Sequence, residues 1–255
     1  MDIVSWNVNS VGARLPLLLN WLQAHQPTVV CLQETKVPDE RFPYAVFQEL
    51  GYMVVTSGQK SYNGVAILSK EPLTGVHGGL PYDELLGHRR LIGATVRGIQ
   101  ILNVYIPNGG DVNSDKFQYK LGWLAALREF LAGYDPQLPL LLCGDFNICP
   151  EALDVYDVAA MMNQVGFHPV EREALALIQA WGLVDTFRLL NPTVQQFSWW
   201  DYRQGSFRRN RGLRIDHIWT TPSLAKRCLK AWIDPEPRQL ARPSDHTPVV
   251  ARFSD

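Results

Sequence analysis

Residues 140–147, Leu-Leu-Leu-Cys-Gly-Asp-Phe-Asn, form an apolar run that breaks at Gly144 and is followed at once by Asp145 and Asn147. A short apolar run with this boundary predicts a buried β-strand. Asp145 and Asn147 are two residues apart, so an extended backbone would place both side chains on the same side of the strand. Strand ends of this kind bind ligands in α/β proteins, although acidic and amide residues also simply begin loops.

A second segment with the same pattern lies upstream, where residues 28–34, Thr-Val-Val-Cys-Leu-Gln-Glu, end at Glu34. In both halves a strand that ends in amides comes first. A segment with apolar residues at helical spacing follows it, and the apolar run comes last. The sequence therefore predicts two strand–helix–strand halves that face each other across one cleft, with a chance pairing of common units as the alternative. The helical segments are residues 15–24 and about 117–132, the first strands are residues 3–7 and 99–106, and the amides are Asn7, Asn9, Asn103 and Asn108.

The composition is that of an ordinary globular chain with ample material for a core. Of its 255 residues, 46% are hydrophobic and 19% are charged. We predict a single domain over residues 1–255, because no linker divides the chain and the candidate boundary at residues 201–212 is typical of a loop. No apolar run approaches the ~20 residues that span a membrane, and the first residues enter a strand without a leader. The four cysteines lack metal-ligand spacing, which predicts reduced thiols in a cytosol.

The net charge of −1 gives no argument for a nucleic-acid partner, but the distribution of charge does. Residues 203–214 contain five arginines and no acid, and they follow the aromatic-rich residues 197–202, Phe-Ser-Trp-Trp-Asp-Tyr. Arginine binds phosphate with bidentate geometry, and aromatic rings stack on bases or fill the gap left by a missing base. The alternative is a solvated loop after a core strand. We expect Trp200 to face the core and the arginines to bind a polyanion, since like charges at this density repel one another otherwise.

Two segments near the C-terminus predict a carboxylate–imidazole pair. Residues 213–219 have the pattern of a strand with Asp216 in an apolar surround, and His246 lies in a short stretch bracketed by prolines. Such a pair can manage a proton or a phosphate charge near neutral pH. Adjacent side chains point in different directions on an extended chain, so we pair His246 with Asp216 and leave Asp245 free to help a metal. We interpret His217 as structural.

Six motifs occur in order along the chain, namely Asn7, Gln33-Glu34-Thr35-Lys36, Tyr105-x-Pro107-Asn108-Gly109, Gly144-Asp145-Phe146-Asn147, Gly212-Leu213-Arg214-Ile215-Asp216 and Ser244-Asp245-His246. Over essentially the whole chain they resemble the exonuclease III family of abasic-site DNA repair endonucleases, in the endonuclease/exonuclease/phosphatase superfamily. Lipid and inositol phosphatases and deoxyribonuclease I share several of these motifs, whereas residues 60–66, 166–172 and 197–216 resemble the DNA repair branch. The resemblance implies a deoxyribonuclease I-like α/β fold, a four-layer sandwich of two packed mixed β-sheets flanked by helices.

The resemblance also implies a Mg²⁺ site, with Mn²⁺ as a substitute. Glu34 would be the principal ligand, with Asn7 and Asp245 nearby, because a few hard oxygen donors suit Mg²⁺ rather than zinc. Asn9 stands where other members have an aspartate, which would weaken a direct metal contact at that point or make it water-mediated. Whether one or two ions act stays open, and the ligands implied for a second ion are Asp145, Asn147 and His246.

The same resemblance assigns catalytic roles. Asp145 would orient or deprotonate the attacking water, and Asn147 would donate to the phosphate oxygens as charge builds on them. His246, held by Asp216, would bond a non-bridging phosphate oxygen. Tyr105 would lie against the scissile phosphate or the leaving oxygen.

The implied substrate is double-stranded DNA, cut 5′ to an abasic site or trimmed at a normal or blocked 3′ end. An abasic nucleotide has less stacking to lose when it is flipped out into a pocket. Leu213 is smaller than the tryptophan of some relatives, and Gly166 leaves space beside that pocket, which would permit both abasic sites and normal 3′ nucleotides. The residues expected to contact DNA are Lys60, Tyr62, Asn108, Arg203, Arg208, Arg209 and Arg211, with Trp199, Leu213 and Ile215 in the sugar pocket.

Two alternatives stand beside this interpretation. One is a phosphohydrolase of the same superfamily that acts on a phosphoinositide or sphingolipid, which would need neither the arginines nor the aromatic pocket. The other is a DNA-binding member without catalysis, which predicts gaps among the catalytic residues, and none is missing. We expect a cytoplasmic, nucleoid-associated monomer that does not bind membranes.

Overall fold

The computed structural model describes residues 1–84 and 86–255. Within these residues the chain forms twelve β-strands in two six-stranded sheets. The strands are β1 (Asp2–Asn7), β2 (Val29–Gln33), β3 (Met53–Ser57), β4 (Val65–Ser69), β5 (Thr74–Gly78), β6 (Leu91–Val96), β7 (Ile99–Tyr105), β8 (Leu140–Asp145), β9 (Val184–Asp185), β10 (Asp216–Thr220), β11 (Cys228–Ile233) and β12 (Val249–Phe253).

Helices connect the strands, and the two long ones begin at serine caps. Ser10 Oγ accepts the backbone N–H of Ala13, and Ser114 Oγ accepts that of Phe117, which satisfies amides that have no partner inside the helix. No helix in the described part of the chain is long and apolar enough to cross a bilayer. The helices are α1 (Val11–His25), α2 (Tyr44–Glu49), α3 (Pro81–Glu84), α4 (Asp115–Leu131), α5 (Val158–Met161), α6 (Pro169–Gln179), α7 (Thr186–Leu190) and α8 (Pro222–Ala225).

Each sheet contains one parallel strand pair, and each pair is made by a predicted strand–helix–strand unit. The first sheet has the order β11-β12-β1-β2-β4-β3, with β1 and β2 parallel. The second has the order β5-β6-β7-β8-β10-β9, with β7 and β8 parallel. Because the carboxyl ends of parallel strands meet at one edge of a sheet, each pair delivers its terminal polar residues together. The predicted duplication is therefore confirmed.

The layers follow from where the apolar side chains are buried. One cluster lies between the sheets and includes Ile3 of the first sheet and Ile101 of the second. A second cluster packs α4 and α6 on the outer face of the second sheet, through residues such as Leu127 and Ile178. A third packs α1 and α2 on the outer face of the first sheet. Helix, sheet, sheet and helix make a four-layer sandwich, as predicted.

One buried polar network joins the two sheets next to the site. Gln33 Nε2 donates to Asn103 Oδ1 at 2.7 Å, and Asn103 Nδ2 donates to the carbonyl oxygens of Leu32 and Ala66. The sequence pattern predicted that Asn103 ends the first strand of its unit. In the structure the Asn103 side chain lies between the two sheets instead. Buried amides persist when their hydrogen bonds are made, and this set fixes how the sheets are aligned.

The segment 213–219 differs from the sequence expectation of a continuous strand. The strand begins only at Asp216, and Leu213 instead makes isolated bridges with Val155 and Trp199. At Arg214 the chain bonds a loop instead of a neighbouring strand: its backbone N–H donates to the Asp154 carbonyl oxygen, and its buried guanidinium forms ion pairs with Asp154 and Asp185.

Candidate active site

The polar ends of the central strands line one cavity of about 850 Å³. Glu34 follows β2, while Tyr105 and Asp145 end the neighbouring strands β7 and β8 in register with each other. His246 reaches the same place from the C-terminal part of the chain. The predicted residues that line this cavity are Glu34, Tyr105, Asn108, Asp145, Asn147, Gly166, Trp199, Arg203, Arg211, Leu213, Ile215, Asp245 and His246.

Two carboxylates and one imidazole form the centre of the cavity. Glu34, Asp145 and His246 each place a ligand atom within 4.8 Å of the others. Asn7 Nδ2 donates to Glu34 Oε1 and to Asp145 Oδ2, both at 2.9 Å. Asn7 Oδ1 accepts the backbone N–H of Asn9, so in this arrangement the Asn7 amide orients the two carboxylates.

The pKa values of the two carboxyls move in opposite directions. Burial raises the pKa of Asp145, opposed by the charge of His246 and reinforced by the nearby Asp216 and Glu34. Burial also acts on Glu34, but Lys36 and the hydrogen bonds from Asn7 and Lys36 lower its pKa overall. Glu34 is therefore a permanent anion, whereas Asp145 can exchange a proton near neutral pH.

His246 and Asp216 form the pair expected from the sequence. His246 Nδ1 lies 2.8 Å from Asp216 Oδ2, and His246 Nε2 lies 3.7 Å from Asp145 Oδ2. Burial alone lowers the pKa of His246, but the two carboxylates outweigh burial and raise that pKa above the usual imidazole value. A protonated imidazole donates hydrogen bonds, so His246 is suited to a phosphate contact. Its ring nitrogen also lies among the groups that could hold a metal ion, so the geometry is compatible with both predicted roles.

Asn147 reaches the cavity by a different route from the one the strand pattern suggested. The strand ends at Asp145, and Asn147 has a left-handed backbone with φ of +52°. Its backbone N–H donates to Asp145 Oδ1 at 2.9 Å, and its Nδ2 donates to the carbonyl oxygen of Ile106. Asn108 Nδ2 donates to Asn147 Oδ1 at 3.0 Å, which joins the two predicted phosphate and DNA contacts. The expectation that an extended strand aligns Asp145 with Asn147 is wrong, although both side chains line the cavity.

Tyr105 is held as a neutral phenol. Burial, together with the charges of Glu34 and Asp145, raises the pKa of Tyr105 well above its ordinary value. The Arg90 guanidinium lies 4.7 Å from the centre of the Tyr105 ring and donates from Nη1 to the Tyr105 carbonyl oxygen. Tyr105 can therefore donate a hydrogen bond but cannot act as a base at neutral pH.

Asp245 and Asn9 lie at the edge of the acidic centre. Asp245 Oδ1 accepts from Asn9 Nδ2 and Asp245 Oδ2 accepts from Trp199 Nε1, both at 3.0 Å. Lys36 Nζ lies 2.6 Å from Glu34 Oε2 and also donates to Asn9 Oδ1. With no carboxylate at position 9, Lys36 keeps only Glu34 as its anionic partner in the cavity.

An apolar recess opens beside the polar centre. Leu213 and Ile215 cluster with Phe167, and Trp199 packs against them. Gly166 has φ of +94°, and a methyl group at its α-carbon would lie 4.0 Å from Leu213 Cδ1, which is ordinary contact distance. The residues expected to form a sugar pocket therefore lie together in one apolar recess.

The arginine segment divides into an exposed and a buried part. Arg203, Arg208, Arg209 and Arg211 are exposed, whereas Arg214 is buried against two aspartates and is not part of the basic surface. The expectation of five arginines facing a polyanion is therefore wrong for Arg214.

Aromatic residues pack under the segment that carries the exposed arginines. Trp200 is buried, as predicted, and its ring meets Phe207 edge to face. The Arg238 guanidinium lies 5.0 Å from the Tyr202 ring and 5.3 Å from that of Phe207. Lys60 and Tyr62 lie on a separate exposed loop, whose Ser61 N–H donates to the carbonyl oxygen of Lys36.

Comparison with known proteins agrees with this geometry. The model of the endonuclease/exonuclease/phosphatase family matches residues 4–246. The chain belongs to this family. It is 38% identical to the exodeoxyribonuclease III of Haemophilus influenzae, over 99% of this chain and 100% of that protein.

Solved structures of family members superpose closely on this chain. An AP endonuclease from Archaeoglobus fulgidus matches with a TM-score of 0.97 and 40% identity, with both chains fully covered. A 3′-5′ exonuclease from Neisseria meningitidis matches with a TM-score of 0.97 and 42% identity, again over both full chains. The predicted exonuclease III relationship, the fold and the class of nuclease hydrolase are confirmed, and a lipid-directed phosphohydrolase is not favoured.

Three residues next to the active site were given no role when the sequence motifs were interpreted. Arg90 stacks on Tyr105, Lys36 pairs with Glu34, and the buried Lys120 lies behind the loops of Asn108 and Asn147. Lys36 had a signal, its place directly after the Glu34 motif. Lys120 is of a residue type that is ordinarily exposed, although its helical spacing from the buried Leu124 and Leu127 places it on the inner face of α4. His217 is structural as predicted, since its Nε2 lies 3.0 Å from the carbonyl oxygen of Ile148.

Proposed function

We propose that this chain is a Mg²⁺-dependent DNA repair phosphodiesterase that cleaves duplex DNA 5′ to abasic sites and trims normal or blocked 3′ ends. The observation that carries the proposal is the juxtaposition of the Glu34–Asp145–His246 centre with an apolar recess in one cavity. The centre suits a phosphodiester, and the recess suits a sugar without a base. The names of the relatives, which include an exodeoxyribonuclease III, an AP endonuclease and a 3′-5′ exonuclease, support it.

The donor set fits a hard divalent cation. Glu34 and Asp145 offer carboxylate oxygens close together, and Glu34 keeps its charge because its pKa is lowered. We propose that Glu34 is the principal ligand, supported by Asn7 and Asp245, with Mn²⁺ as a substitute for Mg²⁺. A second ion would draw on Asp145, Asn147 and His246. Such an ion supplies Lewis-acid stabilisation of phosphate charge.

The remaining chemistry is assigned to the side chains around the scissile phosphate. Asp145 orients and deprotonates the attacking water, which its raised pKa suits near neutral pH. Asn147 and the protonated His246 donate hydrogen bonds to the non-bridging oxygens, where negative charge grows in the transition state. Tyr105, a neutral phenol, donates to the phosphate or to the leaving oxygen.

Substrate selection is assigned to the recess and the exposed basic surface. Trp199, Leu213 and Ile215 receive the extruded sugar, and the absence of a side chain at Gly166 leaves room beside Leu213 and the Asn147 carbonyl oxygen. Asn108 contacts the DNA backbone near the phosphate. The residues proposed to hold the duplex are Lys60, Tyr62, Arg203, Arg208, Arg209 and Arg211.

The decisive experiment is cleavage of duplex DNA that contains a single abasic site. We expect incision 5′ to the site in Mg²⁺, loss of incision in EDTA, and recovery when Mg²⁺ is returned in excess. A matched duplex without the lesion controls for non-specific cutting. Binding without any EDTA-sensitive cleavage would instead support a catalytically inactive DNA-binding protein.

We further propose that the chain acts as a single-domain monomer in the cytoplasm, associated with the nucleoid through its substrate. Side chains from both sheets share one core cluster, which supports one domain over residues 1–255. The four cysteines are buried and free, which suits a reducing compartment.

The double variant Arg208→Ala/Arg209→Ala is expected to weaken DNA binding without changing the chemistry. Removal of each arginine that binds a phosphate should reduce the slope of log Kd against log salt by about one. Fluorescence anisotropy between about 50 and 200 mM salt measures that slope. Arg252→Ala is the matched control, because Arg252 is exposed on β12 but pairs with Asp2 at the opposite end of the sheet. An unchanged salt slope in the double variant would exclude these arginines from the DNA interface.

A further inference from the structure

A buried ion pair lies behind the loops that form the cavity. Lys120 Nζ on α4 is 2.5 Å from Glu171 Oε2 on α6, and neither side chain has exposed surface. Removing two charges from water costs free energy that their attraction recovers only when further hydrogen bonds satisfy both groups. Replacing such a pair by apolar residues is commonly neutral or stabilising, so stability alone is a weak reason for this pair.

One of the remaining hydrogen bonds of the pair caps α6, since Glu171 Oε1 accepts the backbone N–H of His168 at 2.9 Å, and the others go to the backbone of the cavity loops. Lys120 Nζ donates to the carbonyl oxygens of Asn108 and Asn147, at 3.1 and 2.8 Å. Glu171 Oε1 accepts the backbone N–H of Gly166 at 2.6 Å. One ion pair thus fastens three loops that come from distant parts of the chain.

Two of those loops carry the amides proposed to contact the phosphate and the DNA backbone. The backbone of Asn147 is left-handed, a conformation that asparagine adopts more readily than most residues with a side chain, and it is bonded on both sides by Lys120 Nζ and Asp145 Oδ1. Asn108 and Asn147 also bond to each other, so a shift of either loop moves both amides. The third loop places Gly166 beside the apolar recess, within ordinary contact distance of Leu213.

We propose that Lys120 and Glu171 are positioning residues that hold the phosphate-binding amide of Asn147 in register with the sugar recess at Gly166. The proposal rests on the proposed function, since it assigns these loops to phosphate and sugar binding. The pair links the loop of Asn147, which contacts the phosphate, to the loop of Gly166, which borders the sugar. A displacement of one loop therefore displaces the other. A displacement of about 1 Å at a reacting centre can lower a rate about a hundredfold, so support of this kind affects turnover directly.

The test compares two single variants with a double variant in which both charges are gone. Lys120→Met and Glu171→Leu each leave an unpaired buried charge, so both should lower the melting temperature as well as kcat. The double variant Lys120→Met/Glu171→Leu removes that charge and should recover most of the melting temperature. We expect its kcat on abasic duplex to stay about ten- to a hundredfold below that of the unaltered chain, with Kd in EDTA changed less than about threefold.

A further pair of variants separates positioning from stability. Leu127→Ala opens a cavity on the same helix without touching the loops, so it should lower the melting temperature and leave kcat nearly unchanged. Glu171→Gln keeps an acceptor for the Gly166 amide and should retain more activity than Glu171→Leu. If the double variant regains kcat together with its melting temperature, the pair is only structural and the proposal is overturned.

Hydrogen–deuterium exchange provides a readout that does not depend on activity. In the double variant we expect faster exchange at residues 145–149 and 165–168, with the strands unchanged. Exchange as slow as in the unaltered chain would overturn the proposal. Failure of the unaltered chain to cut abasic DNA would instead count against the proposed function, and the exchange result would still decide whether the pair positions the loops.

Discussion

Asp145→Asn is expected to lower kcat about 10³-fold or more while leaving DNA affinity nearly unchanged. The substitution keeps the shape of the side chain but removes the only carboxylate that lies beside Glu34, His246 and the backbone N–H of Asn147 at once. A general base contributes about 10²- to 10⁴-fold, and loss of a pre-organised charge adds to that loss. A 10³-fold loss corresponds to about 4 kcal/mol of transition-state stabilisation.

Single-turnover cleavage of an abasic duplex in Mg²⁺ measures the loss, and anisotropy in EDTA measures affinity. Asp111→Asn is the matched control, since Asp111 also lines the cavity but is exposed and lies outside the acidic centre. We expect the control to keep near-normal activity and Asp145→Asn to keep its Kd within about threefold. Retention of more than about a tenth of kcat by Asp145→Asn would contradict the proposed role of this residue.

Asp216→Asn is expected to lower kcat about 10²- to 10³-fold, the range typical for loss of one transition-state hydrogen-bond donor. Asp216 is the largest of the three charges that raise the pKa of His246, ahead of Asp145 and Asp245. Without that charge the pKa of His246 falls, so the imidazole loses its proton at a lower pH and no longer donates with a full positive charge. The asparagine can still accept from Ser198 Oγ, which bonds Asp216 Oδ2 at 2.6 Å, so the local fold should persist.

The pH profile provides the second signature of this pair. In the unaltered chain the protonated form of His246 persists into alkaline solution. The decrease of the cleavage rate at high pH, the high-pH limb of the profile, should therefore lie well above neutrality. In Asp216→Asn that limb should move to lower pH, and activity should decline as pH rises through neutrality. The low-pH limb, assigned to Asp145, should move less. Rates measured from about pH 5 to 10 test both limbs.

A double-mutant cycle tests whether Asp216 acts through His246. If it does, Asp216→Asn/His246→Gln should be no slower than His246→Gln alone, because residues that act as a unit are not additive. Independent, additive losses would show that Asp216 contributes in another way.

The sequence predicted the elements that local pattern controls. The apolar run that ends at Asp145 and its upstream counterpart produce β8 and β2, because apolar runs of strand length that stop at turn and polar residues favour buried strands. Two strand–helix–strand units then bring Glu34 and Asp145 to neighbouring sheet edges. The two strand–helix–strand halves and the cleft between them were therefore predictable from residue order, whereas the four-layer fold and the roles of the acidic residues were implied by the resemblance to the exonuclease III family.

Other features depend on contacts between residues that are distant in the sequence. Arg214 belongs to the arginine segment by position, yet Asp154 and Asp185 draw it into the interior. Lys120 looks like a solvent-facing helix residue, yet it lies against Glu171 and two loop carbonyls. No local pattern reveals such partners, since burial of a charge is decided by what the rest of the chain places around it.

By itself, then, the sequence indicated which strands form and which polar residues end them, so that Glu34 and Asp145 should face one cleft and His246 should pair with Asp216. The resemblance to the exonuclease III family implied that His246 joins Glu34 and Asp145. Only the tertiary structure decided the protonation of these three side chains, the contacts that hold the left-handed backbone of Asn147, and which arginines are exposed and which is buried. The reason is physical: periodicity and turn residues act over a few positions, whereas pKa values, desolvation and loop support arise from groups brought together by the packing of two sheets.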